Sequence, residues 1–186
     1  MQLGFLQPLE SALADAFKGL PNLPKGFTDF LAKIAPILTL IFGIIGLLSA
    51  YGIYRWVNEV SDSINGLNSI ARSYGVETVK HDWSLMITIS LVVLVVTSVI
   101  YIMAYSPLKQ YKKYGWDLLF LAFLVNIVSN VLIAFTDYGK VANLVGVVIG
   151  VAIGAYFLFQ VRPYYTGKLK VDTGTSSIKN TKKESE

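Results

Sequence analysis

The chain has 186 residues, of which 54% are hydrophobic and only 15% are charged, with 16 Lys and Arg against 12 Asp and Glu and a formal net charge of +4. Because a soluble domain carries about a quarter charged residues, this composition indicates a membrane protein, and the length leaves little room for a separate catalytic domain. The absence of cysteine excludes disulfides and a cysteine nucleophile, and a single histidine, His81, excludes the usual multi-histidine metal site.

The first element in chain order is an amphipathic N-terminal segment, residues 1–28. Apolar residues recur at helical spacing between Leu9 and Leu20, with Glu10 and Asp15 on the opposite face. This pattern predicts a short helix on the cytoplasmic surface of the membrane. Its polar face is not basic, so we expect it to bind lipid through its apolar face, or to dock on the protein's own helices or on a partner.

Four apolar segments are long enough to cross a bilayer. A membrane core about 30 Å thick needs about 20 apolar residues in a helix, because each residue rises about 1.5 Å. In lipid every backbone group must be bonded within the segment, which favours a helix even for the second segment with its many β-branched residues. The predicted spans cover about 33–57, 83–105, 116–136 and 141–161. The sequence therefore predicts an all-α integral membrane protein, with a four-helix transmembrane domain at residues 29–165 and short amphipathic interfacial helices.

The connections between the spans have distinct patterns. The predicted exterior loop, residues 58–82, places apolar residues from Val60 to Tyr74 on one helical face, and Gly75 fits a helix stop. We expect a second amphipathic helix there on the outer surface, either separate from the first span or continuous with it before a bend, which covers the end of the bundle or forms a lid or partner surface. Residues 137–140 predict a tight hairpin, which makes the third and fourth spans antiparallel neighbours.

The distribution of basic residues predicts the orientation. Twelve of the 16 Lys and Arg residues lie before the first span, between the second and third, or after the fourth. The positive-inside rule therefore predicts a multi-pass protein of the cell membrane with both termini in the cytoplasm. Residues 166–186 are rich in Gly, Ser, Thr and Lys and predict a disordered basic cytoplasmic tail. Because the excess positive charge lies where membrane insertion places it, we do not expect nucleic acid as a partner.

Aromatic residues cluster near the ends of the predicted spans, among them Trp56, Trp83, Trp116 and Tyr165. Tyr and Trp rings prefer the headgroup level of a bilayer. We therefore interpret these residues as an aromatic belt rather than as a ligand-binding cage.

Two stripes of small residues predict helix-packing faces. They are Gly43, Gly46, Ser49 and Gly52 in the first span, and Gly146, Gly150 and Gly154 in the fourth. Helices in lipid associate through close backbone approach, so small side chains mark contact faces. The contact is either within the bundle, which we favour, or with a second copy or another membrane protein.

Three polar side chains near the middle of the third span, Asn126, Ser129 and Asn130, are the candidate site. Asn126 and Asn130 lie one turn apart on the same side of a helix. An amide facing lipid loses its hydrogen bonds, so both are predicted to point into the bundle. They serve either as interhelical hydrogen-bonding groups, which we favour, or as the polar lining of a cavity for a small solute or lipid headgroup.

No Asp, Glu, Lys, Arg or His lies in the cores of the spans, residues 34–54, 83–107, 118–136 and 141–161. Such groups mark proton relays and ion pathways, so ion-coupled transport is disfavoured. No cofactor or metal motif is present in the sequence. We therefore expect a non-enzymatic structural or accessory protein that packs with itself or with partner membrane proteins. The alternative is a small transporter or oligomeric pore for neutral or weakly polar solutes, lined by Asn126, Ser129 and Asn130.

Overall fold

The computed structural model describes residues 3–17, 19–77, 85–134 and 141–171. In this part of the chain all regular structure is helical: a 3-10 turn at Gly4–Leu6, then α1 (Gln7–Phe17), α2 (Lys25–Ser73), α3 (Leu85–Lys109), α4 (Lys113–Ala134) and α5 (Val141–Tyr165). Helices α2 to α5 are each long and apolar enough to cross a membrane. This confirms an all-helical fold with four candidate spans. The predicted hairpin at 137–140, His81, Trp83 and the tail beyond residue 171 lie outside the described residues.

The longest helix, α2, extends well beyond the predicted first span. Its 49 residues correspond to about 74 Å, more than twice the thickness of a membrane core of about 30 Å. Residues 25–28 and most of the predicted exterior loop are therefore part of the same helix as the first span. The helix ends at Ser73, and Gly75 follows with a φ of 70°, the left-handed conformation that glycine permits after a helix.

The four long helices pack mainly in chain order. Helix α3 lies between α2 and α4, and α5 packs on α4 with a smaller contact to α2. The neighbours of Gly43 are Ser98 and Ile102, whereas those of Gly46 are Ser98 and Leu94. The residue numbers of the neighbours on α3 thus fall as the residue numbers along α2 rise, which shows that α2 and α3 are antiparallel.

A tight turn joins α3 to α4. Tyr111 adopts a φ of 51°, and the backbone N–H of Lys112 donates to the carbonyl of Pro107 at 2.9 Å. The first turn of α4 then lies directly against the end of α3, because a Cβ added at Gly115 would stand only 2.6 Å from the Leu108 nitrogen. Glycine is required at this position by the close approach of the two backbones.

The apolar core lies at one end of the bundle, where α1, the start of α2, the end of α3, the start of α4 and the end of α5 meet. Its buried members are Leu6, Ala32, Ala104, Leu108, Trp116, Leu118, Phe120, Val161, Tyr164 and Tyr165. Within the apolar stretches of the four long helices, that of α4 is the most buried and that of α5 the least. We call this end of the molecule the closed end.

Trp116 is at the centre of the closed end. Its side chain is 0% exposed, its ring stacks on Phe120 at 5.3 Å, and Phe159 meets it edge-on at 5.6 Å. The indole Nε1–H donates to the carbonyl of Leu158 at 2.9 Å. The structure therefore places Trp116 inside the bundle, which corrects its interpretation as a belt residue, because Phe120 and residues of α5 cover the ring that the sequence alone would leave facing headgroups.

Candidate functional site

A buried ion cluster joins the N-terminal helix to the closed end. It consists of Glu10 on α1, Lys113 and Asp117 on α4, and Arg162 on α5, and we call it the terminal ion cluster. Lys113 Nζ donates to Glu10 Oε2 at 2.9 Å and to Asp117 Oδ1 at 2.6 Å. Arg162 donates from Nε at 2.8 Å and from Nη2 at 2.5 Å to Glu10 Oε1. One carboxylate on α1 thereby binds cations from two other helices.

Burial and charge compete at Glu10. The carboxylate is 3% exposed, and burial by itself would raise its pKa. The hydrogen bonds and positive charges of Lys113 and Arg162 outweigh burial and hold the pKa of Glu10 below its ordinary value. Glu10 is therefore ionised in the folded protein at neutral pH.

The remaining groups of the cluster are also partnered. Asp117 Oδ2 accepts the backbone N–H of Leu3 at 3.2 Å, which attaches the chain at a second point. The Lys113 ammonium and the Arg162 guanidinium lie 5.5 and 5.6 Å from the centre of the Trp116 ring, within the range of cation–π attraction. These contacts position the N-terminal segment on α4 and α5.

The sequence contains only a partial signal for this cluster. Lys113 and Asp117 stand four residues apart, the spacing of a helical ion pair. Glu10, however, lies 103 residues from Lys113 and 152 from Arg162. Its place on the polar face of an amphipathic helix predicts solvent exposure, and only the docking of α1 makes it a buried partner.

The small-residue stripe of α2 divides into two halves. Gly43 and Gly46 pack on α3, since a Cβ at Gly43 would lie 2.6 Å from Ile102 Cγ1 and one at Gly46 would overlap the Ser98 hydroxyl. Ser49 is exposed, and a Cβ at Gly52 would meet no atom within 4 Å in the described structure. The close contact between α2 and α3 is therefore confined to the Gly43 and Gly46 part of the stripe.

The stripe of α5 shows the same division. A Cβ at Gly154 would lie 3.2 Å from the Phe123 ring on α4, an intramolecular contact. At Gly146 and Gly150 it would meet no described atom within 4 Å. Among the described residues, the close contact of this stripe with α4 is therefore confined to Gly154.

A groove lies between α4 and α5 beside the two asparagines, and we call it the α4–α5 groove. Its volume is about 240 Å³, and its lining includes Phe123, Asn126, Asn130, Val147, Gly150 and Val151. A second cavity of about 220 Å³ lies on the other side of Asn126, and its lining includes Phe42, Gly46, Thr97, Ser98, Tyr101 and Phe123. Asn126 and Phe123 line both spaces and form the wall between them.

In the described structure neither asparagine amide donates a hydrogen bond to another helix. The amide Nδ2 of Asn126 donates to the carbonyl of Ala122 at 2.8 Å, and that of Asn130 donates to the carbonyl of Asn126 at 2.7 Å. Both contacts are within α4, so each amide retains hydrogen-bonding capacity on the side of the groove. Ser129 is half-buried and lines neither space. The structure therefore brings Asn126, Asn130 and Gly150 together and leaves Ser129 apart.

The described residues contain no group of three or more His, Asp or Glu side chains that could bind a metal ion. The carboxylates of the terminal ion cluster are already engaged by Lys113, Arg162 and the N–H of Leu3. Comparison of the chain with protein-family models, with curated proteins and with solved structures finds no match.

Proposed function

We propose that this chain is a non-enzymatic, multi-pass protein of the cell membrane, with cytoplasmic termini, that acts as a structural or accessory subunit. In this proposal it associates with a second copy of itself through the α4–α5 groove. The observation that supports it is the bare surface of Gly146 and Gly150, where no described atom lies within 4 Å of an added Cβ. A helix from another subunit can approach α5 closely there, as small residues allow in lipid.

The polar groups beside these glycines support association. Asn130 is exposed in the described structure, and lipid tails offer no hydrogen bonds to its amide. An amide both donates and accepts, so two copies of Asn130 can pair with each other across a symmetric contact. The groove therefore offers a second copy both a close backbone approach and a hydrogen-bonding partner.

The test is the oligomeric state in lipid nanodiscs or by subunit counting in liposomes. We expect Gly150→Leu to weaken self-association at least about tenfold, because the added side chain fills the groove. Ala152→Leu is the matched control, since Ala152 is also exposed on α5 but two residues away and so on another face. A wild-type chain that is monomeric without a co-purifying membrane partner, or a Gly150→Leu variant that associates normally, contradicts the proposal.

A second candidate function is a small transporter or oligomeric pore for neutral or weakly polar solutes. It is favoured by the two spaces that meet at Asn126, one of which also contains the hydroxyl side chains of Thr97 and Ser98. In this case Asn126→Leu combined with Asn130→Leu abolishes the flux of a neutral solute such as glycerol into liposomes while the melting temperature is retained. Loss of stability with unchanged flux instead supports a packing role for the asparagines.

A further inference from the structure

A third open space lies at the closed end, between α1, the segment after it and the end of α5; we call it the α1–α5 cleft. Its volume is about 200 Å³. Tyr156 Oη donates to the carbonyl of Pro21 at 2.7 Å, and Gln160 Nε2 donates to the same carbonyl at 3.2 Å. These bonds hold the connecting segment in place as one wall of the cleft, so the cleft is a preformed feature of the fold.

One positive charge of this cleft, that of Lys168, is not compensated by a described carboxylate. Its described lining contains two cations, Arg162 and Lys168, and no carboxylate. Within the adjoining terminal ion cluster, Lys113 and Arg162 balance Glu10 and Asp117. Lys168 forms no ion pair with a described residue, so its charge is left to attract an anion.

Arg162 has donors to spare for such an anion. It uses Nε and Nη2 on Glu10, and in the described structure no partner engages the two N–H groups of Nη1. A guanidinium fixed on one edge by a carboxylate presents its other donors in a defined direction, which suits a phosphate group. Glu10 therefore orients Arg162 as well as pairing with it.

The cleft is partly apolar, and it lies where a headgroup would be found. Phe17 and Phe159 both line it, with their rings stacked at 5.6 Å. Arg162 directly follows the uncharged run 141–161 of α5, so in a membrane it stands at the level of the lipid phosphates. An anion bound here has charged donors on one side and an aromatic surface on the other.

We propose that the α1–α5 cleft binds the phosphate of an anionic phospholipid headgroup, through Lys168 and the free donors of Arg162. Basic pockets between helices at the membrane interface recognise such headgroups. Inorganic phosphate shares the same chemistry, but the aromatic wall and the interfacial position favour a lipid, whose glycerol and acyl parts can cover the Phe17 ring. This site is separate from the α4–α5 groove and does not depend on the proposed function.

The experiment compares the full chain in nanodiscs of phosphatidylcholine with the full chain in nanodiscs of equimolar phosphatidylcholine and phosphatidylglycerol. We expect phosphatidylglycerol to raise the melting temperature and to remain bound in native mass spectra. Lys168→Glu should lower its affinity by about tenfold, the scale of one lost charge-assisted contact. Lys112→Glu is the matched control, because Lys112 is an exposed cation at the same end of the bundle outside the cleft.

Two further measurements keep the test decisive. Arg162→Lys retains a cation for Glu10 but removes the guanidinium fork, so it should also weaken phosphatidylglycerol binding while protection of α1 from proteolysis is kept. The proposal is overturned if the Lys168→Glu variant binds phosphatidylglycerol as the wild type does. It is also overturned if Lys112→Glu loses as much affinity for phosphatidylglycerol as Lys168→Glu does, which indicates diffuse electrostatic attraction. It is also overturned in favour of a soluble ligand if inorganic phosphate in phosphatidylcholine nanodiscs produces the whole shift in melting temperature.

Discussion

At the scale of single residues, Glu10 connects three helices through one carboxylate. Burying an ionised group is costly unless it is paired and hydrogen-bonded. Glu10 meets both conditions, because Lys113 contacts one of its oxygens and Arg162 contacts the other. The same contacts that make its burial tolerable also determine where α1 lies.

Glu10→Gln is expected to loosen the docking of α1. The amide keeps the size of the side chain but removes the charge that Lys113 and Arg162 face, which should cost about 2 kcal/mol, the scale of a hydrogen bond to a charged group. Limited proteolysis of the segment after α1, together with thermal unfolding in detergent, measures this loss.

Glu59→Gln is the control for this substitution. Glu59 pairs with Arg55 at 3.0 Å, but the two side chains are 66% and 62% exposed. Exposed pairs contribute less than about 1 kcal/mol, so this variant should unfold almost as the wild type does. Equal effects of the two substitutions would show that burial of Glu10 has no energetic consequence.

Acidification should release α1. A carboxylate whose pKa is lowered by folding stabilises the folded state above its unfolded value, about 4.3 for glutamate. That stabilisation is lost as pH falls below this value and through the lower pKa of folded Glu10. We therefore expect the difference in melting temperature between wild type and Glu10→Gln to be constant near neutral pH and to shrink toward zero in acid. A difference that is independent of pH would contradict the assigned ionisation.

At the scale of elements, the turn between α3 and α4 depends on a close approach of two backbones. A Cβ at Gly115 would lie 2.6 Å from the nitrogen and 3.0 Å from the Cα of Leu108, and 2.9 Å from the Pro107 carbonyl carbon. These neighbours are backbone atoms of a helix that the turn itself holds in place. They cannot move aside as the end of a flexible side chain can.

Gly115→Ala should therefore destabilise the bundle by about 1–3 kcal/mol, the cost of overpacking a rigid site. The control is Gly52→Ala, since a Cβ at Gly52 meets no described atom within 4 Å and alanine is the better helix former. Thermal unfolding of both variants in the same detergent tests the contrast. A Gly115→Ala variant as stable as Gly52→Ala would mean that α3 and α4 are less closely packed than described.

At the scale of the whole molecule, the described core and the α4–α5 groove lie at different levels of the bundle. Aromatic rings, the terminal ion cluster and the turn at Gly115 join the helices at the closed end, whereas Asn126, Asn130 and Gly150 line the α4–α5 groove further along α4 and α5. The described apolar core of the bundle lies at the closed end. The α4–α5 groove is not filled by another described helix, which is why we place association with another subunit there.

The orientation can be tested because the chain contains no cysteine. Single cysteines replace Leu67, which is 66% exposed on the extension of α2, and Leu169, which is 43% exposed after α5. A membrane-impermeant maleimide should label the Leu67→Cys variant on intact cells and the Leu169→Cys variant only after permeabilisation, as the distribution of Lys and Arg predicts. The opposite pattern of labelling would reverse the proposed topology.

The helical spans were predictable from the sequence because their signal is local. Uncharged runs of about 20 residues need no knowledge of their neighbours to indicate spanning helices. The glycine stripes were only partly informative: Gly43, Gly46 and Gly154 contact another helix, whereas Gly52, Gly146 and Gly150 do not among the described residues. A stripe identifies a face that permits close packing, and the arrangement of the neighbouring helices decides which part of it is used.

The sequence by itself therefore determined the helical class, the four candidate spans and the position of the asparagines on one side of α4, since each follows from residue spacing along one helix. Only the tertiary structure decided that Glu10 is buried between Lys113 and Arg162, that Trp116 is interior, and that Arg162 and Lys168 share one cleft. The physical reason is that burial and pairing arise between different helices, 103 and 152 residues apart for Glu10 with its two cations and 42 residues apart for Trp116 with Leu158, and the periodicity of a single helix carries no record of which other helix covers it.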